Sequence, residues 1–220
     1  MKRYCTLLAT ATVALLLIQA ASAGIVWGPY VTNTTSNSAV VSWKATGDTG
    51  GWVEYAPVEG GETNRIPSSG TEGGIQHAHL SDLSPATTYR YRVVSGNETT
   101  GDCRFRTFGD LEFTCIIYGD TRGQKPLFTQ ADRHRLVAER IAEEEEFLFL
   151  LHTGDFVCDD SEWDEFFSVV GEALNKTTLV PVAGNHDGTA EAFSRIFAVP
   201  TDYSFDAGSL HVTVLDSNDR

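Results

Sequence analysis

Leu179-Val180-Pro181-Val182-Ala183-Gly184-Asn185-His186-Asp187 reads as a short apolar strand running into a tight turn that carries an amide, an imidazole and a carboxylate. Two earlier stretches repeat the pattern. Leu111 to Tyr118 is an apolar strand followed by Gly119-Asp120-Thr121-Arg122, and Phe147 to His152 is one followed by Gly154-Asp155-Phe156-Val157. Helical periodicity fills the gaps, over about Thr129 to Glu146, Glu162 to Leu174 and Ala190 to Phe197, before a strand at Leu210 to Leu215. Strand and helix in alternation predict a layered α/β sheet with helices packed on its faces. The C-terminal ends of its strands then line up along one edge, where α/β folds place their ligands. Each glycine lets the backbone turn tightly enough to aim the next side chain into a shared cleft. In the second helix Trp163, Phe166, Phe167, Val170 and Leu174 fall on one stripe, which predicts a core face.

Upstream the grammar differs. From Gly24 to about Phe108 the chain is short-period and rich in β-formers, broken by Gly, Asn and Ser clusters, which predicts a β-sandwich. Val40 to Trp43, Gly51 to Tyr55, Tyr89 to Val94 and Arg104 to Thr107 read as strands. In the third, Tyr89, Tyr91 and Val93 share one face and Arg90, Arg92 and Val94 the other. His77 and His79, two apart on a strand, share a face but have no third partner nearby, so they read as structural. The fold class is therefore multidomain β plus α/β, with a sandwich over residues 24–108 and part of an α/β domain over 111–220.

Residues 1–23 hold Lys2 and Arg3, an apolar run from Leu7 to Ile18, and Ala21-Ser22-Ala23, the pattern of a cleaved signal peptide. A secreted or extracytoplasmic protein with no stable membrane span is expected. Removing that leader takes the formal charge from −14 to −16, a surface that repels nucleic acid. A phosphorylated substrate would need local positive charge, which bound metal ions supply. Cys103, Cys115 and Cys158 are too few for a disulfide scaffold, so the core must come from packing.

Asp120, Asp155, Asn185 and His186 are the residues the three strand-end loops bring together. Two carboxylates placed side by side repel unless one is protonated or a cation joins them. Oxygen-rich ligation with some nitrogen suits manganese, iron or zinc, as two divalent or trivalent ions.

The order Asp, then Gly-Asp, then Gly-Asn-His resembles the calcineurin-like metallophosphoesterases, and the sandwich ahead of it is similar to the fibronectin-type N-terminal domain of purple acid phosphatases. By that resemblance Asp120 binds the first metal, Asp155 bridges both, Asn185 binds the second, and His186 faces the phosphoryl group of a phosphorylated small molecule or protein. The chain departs from the pattern in three ways. Cys158 stands where purple acid phosphatases carry a tyrosine ligand, so no tyrosinate-to-iron colour is expected. The first loop has Asp-Thr-Arg where relatives have Asp-x-Gly or Asp-x-His; Arg122 is then a candidate for gripping phosphate and His134 a candidate substitute ligand, with a core histidine as the simpler reading of the latter. The histidines that close the family's site are absent before Arg220, which reads as a chain cut in mid-domain. The implied activity is a phosphatase. The rivals are a nucleotidase or phosphodiesterase, and a non-catalytic cell-surface binding module with a degenerate phosphoesterase half.

Overall fold

The computed structural model describes residues 24–47, 50–70, 72–110 and 112–218. The leader expected over residues 1–23 lies outside them. The sandwich strands are β1 (Ile25–Thr32), β2 (Ala39–Ala45), β3 (Gly51–Pro57), β4 (Asn64–Pro67), β5 (Ser69–Gly70), β6 (Ile75–Leu80), β7 (Thr88–Ser95), β8 (Glu98–Thr99) and β9 (Cys103–Arg106). The α/β half follows as β10 (Ile116–Tyr118), α1 (Gln130–Glu143), β11 (Phe149–His152), α2 (Trp163–Leu174), β12 (Thr178–Pro181), α3 (Ala190–Phe197), β13 (Tyr203–Ala207) and β14 (Leu210–Val214). The element order matches the expected alternation. β10 begins later than its apolar run suggested, and β13, which pairs with β14, extends the expectation by one strand.

Two sheets pack face to face in the N-terminal half. Val31, Val41, Trp43, Ala78 and Leu80 of one meet Val53, Tyr91, Val93 and Phe105 of the other in a single buried cluster. β7 shows why: Tyr89, Tyr91 and Val93 are buried while Arg90 and Arg92 face solvent, the two-residue period of a half-buried strand.

The first of these sheets does not stop at the sandwich. Its strand order is β10-β11-β12-β1-β2-β6-β5, so the sandwich and the α/β half share one seven-stranded sheet. The joint is β1, antiparallel to β2 and parallel to β12 through Val31 and Thr178. β1 is hard to see in the sequence because Gly28-Pro29 interrupts it. Proline offers no N–H to a ladder, and the pairing with β2 slips on both sides of Trp27.

The outer face of that shared sheet is the floor on which the helices sit. Trp27, Tyr30 and Ile75 join the α-helical core with Phe166, Phe167, Val170 and Phe197. Trp27 stacks on Phe167 at 4.0 Å and 10°, and its indole N–H donates to Asp164 at 2.7 Å. The predicted stripe on α2 is buried throughout; truncating one such ring to Ala typically costs about 3–5 kcal/mol. The end of α3 is satisfied from the same face. Its last carbonyls have no helical partners, and they accept instead from His77 at Arg195 (2.9 Å), from the Tyr30 hydroxyl at Ile196, and from the Thr32 hydroxyl at Phe197 (2.6 Å). His77 is thus a buried structural histidine, bonded also to Ser42 at 2.7 Å, while His79 is exposed. No helix among the described residues is long and apolar enough to cross a membrane.

Candidate active site

β10, β11 and β12 are parallel neighbours, and Tyr118, His152 and Pro181 stand abreast at their C-terminal ends. The three expected loops therefore leave one sheet edge side by side. Backbone bonds stitch them together: Asp120 N donates to Gly154 O at 2.9 Å, and Thr121 N and Arg122 N both donate to Asp155 O at 3.0 Å. The second and third loops approach still more closely. A Cβ on Gly184 would lie 2.2 Å from Asp155 N and 2.3 Å from its carboxylate, so only glycine fits there. Asp120 and Asp155 both hold left-handed backbone, at φ 54° and 55°. Aspartate tolerates that region better than most residues, and strain of this kind concentrates at functional sites.

Asp155 is the hub. Arg122 Nε lies 3.1 Å from Asp155 Oδ2 and 3.6 Å from Asp120 Oδ1, while His186 N donates to Asp155 Oδ1 at 3.3 Å. Asp155 is largely covered, whereas the Asp120 side chain is 79% exposed. His186 is half-buried and Asn185 exposed on the third loop. Asp120, Arg122 and Asp155 are thus joined through their side chains and His186 through its backbone N–H, while Asn185 precedes His186 in the chain. A cavity of about 620 Å³ opens beside Asp120, with Thr121, Arg122, Phe128 and Arg133 among its walls.

Among the described residues no three His, Cys, Asp or Glu side chains stand together as a ready-made metal cluster. The donors nevertheless fit a cation. A guanidinium nitrogen already sits within reach of both carboxylates and stands in for a positive charge between them.

His134 is a correction. The structure buries it at 3% exposure on the core side of α1, where its ring nitrogens face Gln130 Oε1 (3.0 Å) and the Tyr118 hydroxyl (3.4 Å) and its ring stacks on Phe166. Its bonds and ring contacts are to these core residues, which favours the simpler reading of a core histidine, although it also lines the cavity beside Asp120. The helical period pointed it inward correctly; what it met there was an aromatic core.

Three residues with structural influence on the site went unassigned in the sequence. Asp187, 1% exposed, accepts from four backbone amides: Gly184 (2.8 Å), Asp155 (2.9 Å), Phe156 (2.7 Å) and Val157 (3.3 Å). Burial pushes its pKa up, the neighbouring Asp155 charge adds to that, and the amide bonds oppose both. His152 lies fully buried under the first loop, with Nε2 3.0 Å from the Thr121 hydroxyl and Nδ1 accepting from Gly154 N at 3.2 Å. Nearby, Glu162 accepts from Gly123 N (3.2 Å) and Cys158 N (3.0 Å). Burial alone would raise its pKa, but those bonds and Lys125 outweigh it and hold the carboxyl below its ordinary value. The Cys158 side chain is free and exposed.

The buried histidines should make the fold less stable in acid. Desolvation lowers the pKa of His77, lowers His134 to about 4 and takes His152 well below its usual range. Unfolded histidine titrates near 6.5, so these groups stabilise the fold fully above about pH 6.5, and that stability drains as the pH falls toward 4. His134 alone accounts for on the order of 3 kcal/mol of this. The thermal midpoint should fall between pH 6.5 and 4.5, and fall less in His134→Gln; a flat or rising midpoint across that window contradicts the assignment.

Carboxylates, an amide and an imidazole delivered from adjacent parallel strands define a layered α/β protein with its ligand site at the strand C-terminal edge. The chain belongs to the calcineurin-like phosphoesterase family, whose model matches residues 78–216. The purple acid phosphatase N-terminal domain model matches residues 28–107. Two uncharacterized proteins of Mycobacterium tuberculosis, from strains H37Rv and CDC 1551, are each 27% identical over 230 aligned positions, covering 84% of this chain and 43% of the relative. Among solved structures, purple acid phosphatase PPD1 from yellow lupin seeds superposes with a TM-score of 0.70 at 18% identity, over 84% of this chain and 43% of that one. PhoD superposes at 0.69 and 12%, over 87% and 52%. The chain thus spans less than half the length of the curated relatives it matches. Metallophosphoesterases of this kind use binuclear metal centres.

Proposed function

We propose that the whole protein is an exported, metal-dependent phosphatase that hydrolyses phosphate esters at the strand-end loops. The observation that carries this reading is the single guanidinium nitrogen shared by Asp120 and Asp155, two carboxylates from adjacent strands aimed at one cationic position. Asp120, Asp155 and Asn185 would hold the metals, with Asp155 between them and manganese, iron or zinc as the ions. When bound, such a pair supplies Lewis acidity for the phosphoryl oxygens and acidifies water.

The chain's own residues do the rest. Arg122 binds a phosphoryl oxygen, and its planar fork suits two-point contact. His186 faces the phosphoryl group, where it stabilises developing charge or protonates the leaving oxygen. Asp187, Glu162 and His152 keep the loops in register from beneath. The sheets of residues 24–108 form a fibronectin-type sandwich that supports the domain over 111–220, and export rests on the leader pattern of residues 1–23.

The test is turnover of aryl phosphate monoesters and diesters by the full-length protein. The monoester is expected to be hydrolysed, with loss of activity on chelation and recovery on adding Mn²⁺ or Zn²⁺. Undiminished hydrolysis after complete metal removal contradicts the reading, and preferred cleavage of the diester moves it to a phosphodiesterase.

A further inference from the structure

Arg122 occupies an unusual position for a side chain of the site it belongs to. Its backbone N–H is fixed to Asp155 O at 3.0 Å, so the loop itself is anchored. Its side chain, 31% exposed, reaches back over the loop to lie 3.1 Å from Asp155 Oδ2 and 3.6 Å from Asp120 Oδ1. Asp155 is only 19% exposed and has little water to screen it. Without a cation the two carboxylates would repel across a partly desolvated gap. Arg122 removes that repulsion from within the chain.

We infer that Arg122 is a resident counter-ion, holding Asp120 and Asp155 together in the metal-free protein and competing with metal for the same two carboxylates. The inference rests on the metal-centre reading above and adds its regulation. A divalent ion carries twice the charge in a smaller volume and displaces the guanidinium. The released side chain turns toward the cavity beside Asp120, where Arg133 already contributes one positive charge. Metal loading is thereby coupled to presenting Arg122 for phosphate. The same residue that lowers metal affinity stabilises the unloaded protein, so the site tolerates metal-poor conditions without splaying its loops.

The experiment is calorimetric titration of the metal-stripped, full-length protein with Mn²⁺ alone, alongside its metal-free thermal midpoint. Arg122→Gln should bind Mn²⁺ more tightly than the wild type, by up to about fivefold, the return expected from freeing a partly exposed ion pair, while its metal-free form melts at a lower temperature. Arg122→Lys, which keeps the charge without the planar fork, should fall between the two. Equal or weaker Mn²⁺ binding by Arg122→Gln overturns the counter-ion role and leaves the metal centre standing. Failure of both proteins to bind Mn²⁺ overturns the metal centre, and the inference with it.

Discussion

Asp155→Asn should lower aryl phosphate hydrolysis by the full-length protein at least about a hundredfold, since loss even of a residue that merely orients a metal ligand costs tenfold to a hundredfold. The substitution isolates charge. Asparagine tolerates the left-handed backbone that Asp155 adopts at φ 55°, and its carbonyl oxygen can still accept from His186 N. The main-chain carbonyl that receives Thr121 and Arg122 is untouched. What disappears is the negative oxygen facing Arg122 and the cationic position between the loops. Mn²⁺ affinity should fall with turnover while the far-ultraviolet spectrum stays that of the wild type. Unchanged turnover removes Asp155 from the chemistry and the phosphoesterase assignment with it.

Asp187→Ala should destabilise the protein by on the order of 3 kcal/mol and weaken metal binding about tenfold to a hundredfold. The reason is the burial of four amide donors around one carboxylate. Removing the acceptor leaves the Gly184, Asp155, Phe156 and Val157 N–H groups without their partner; those of Phe156 and Val157 are buried, and each buried orphan is costly. Three of those amides belong to the second loop and one to the third, so the two loops lose their common anchor. Asp187→Asn keeps the volume but offers one oxygen and turns an NH₂ toward donors; it should recover only part of the stability. Denaturant midpoints and Mn²⁺ titration check both effects. Wild-type stability and affinity in Asp187→Ala would show that the loops hold together without it.

Much of this was legible in the sequence because the signals are local. Apolar strand, glycine, then a ligand-type side chain occurs three times, and parallel pairing of β10, β11 and β12 brings the three turns abreast. The α2 stripe was equally plain, since a period of 3.6 needs no knowledge of what lies opposite. The shared sheet was not legible, because it depends on β1 meeting β12 across most of the chain, and Gly28-Pro29 hides β1. Asp187 belonged to a recognised motif, yet its work is to accept backbone amides, which leaves no side-chain pattern to read. His152 looked like the last residue of a strand, and only the fold puts Thr121 above it. His134 carried the opposite lesson: facing the sheet is compatible with the site and with the core, and the stacked ring of Phe166 favours the core while the same side chain lines the cavity beside Asp120.

The most direct measurement is anomalous diffraction from crystals of the full-length protein soaked with Mn²⁺. A strong anomalous peak is expected at the C-terminal edge of β10, β11 and β12, within bonding distance of Asp155 and flanked by Asp120 and Asn185, with the Arg122 side chain moved out of the gap. Mn²⁺ found only elsewhere on the protein, with the Arg122 bridge intact and the three loops empty at saturating metal, would contradict it.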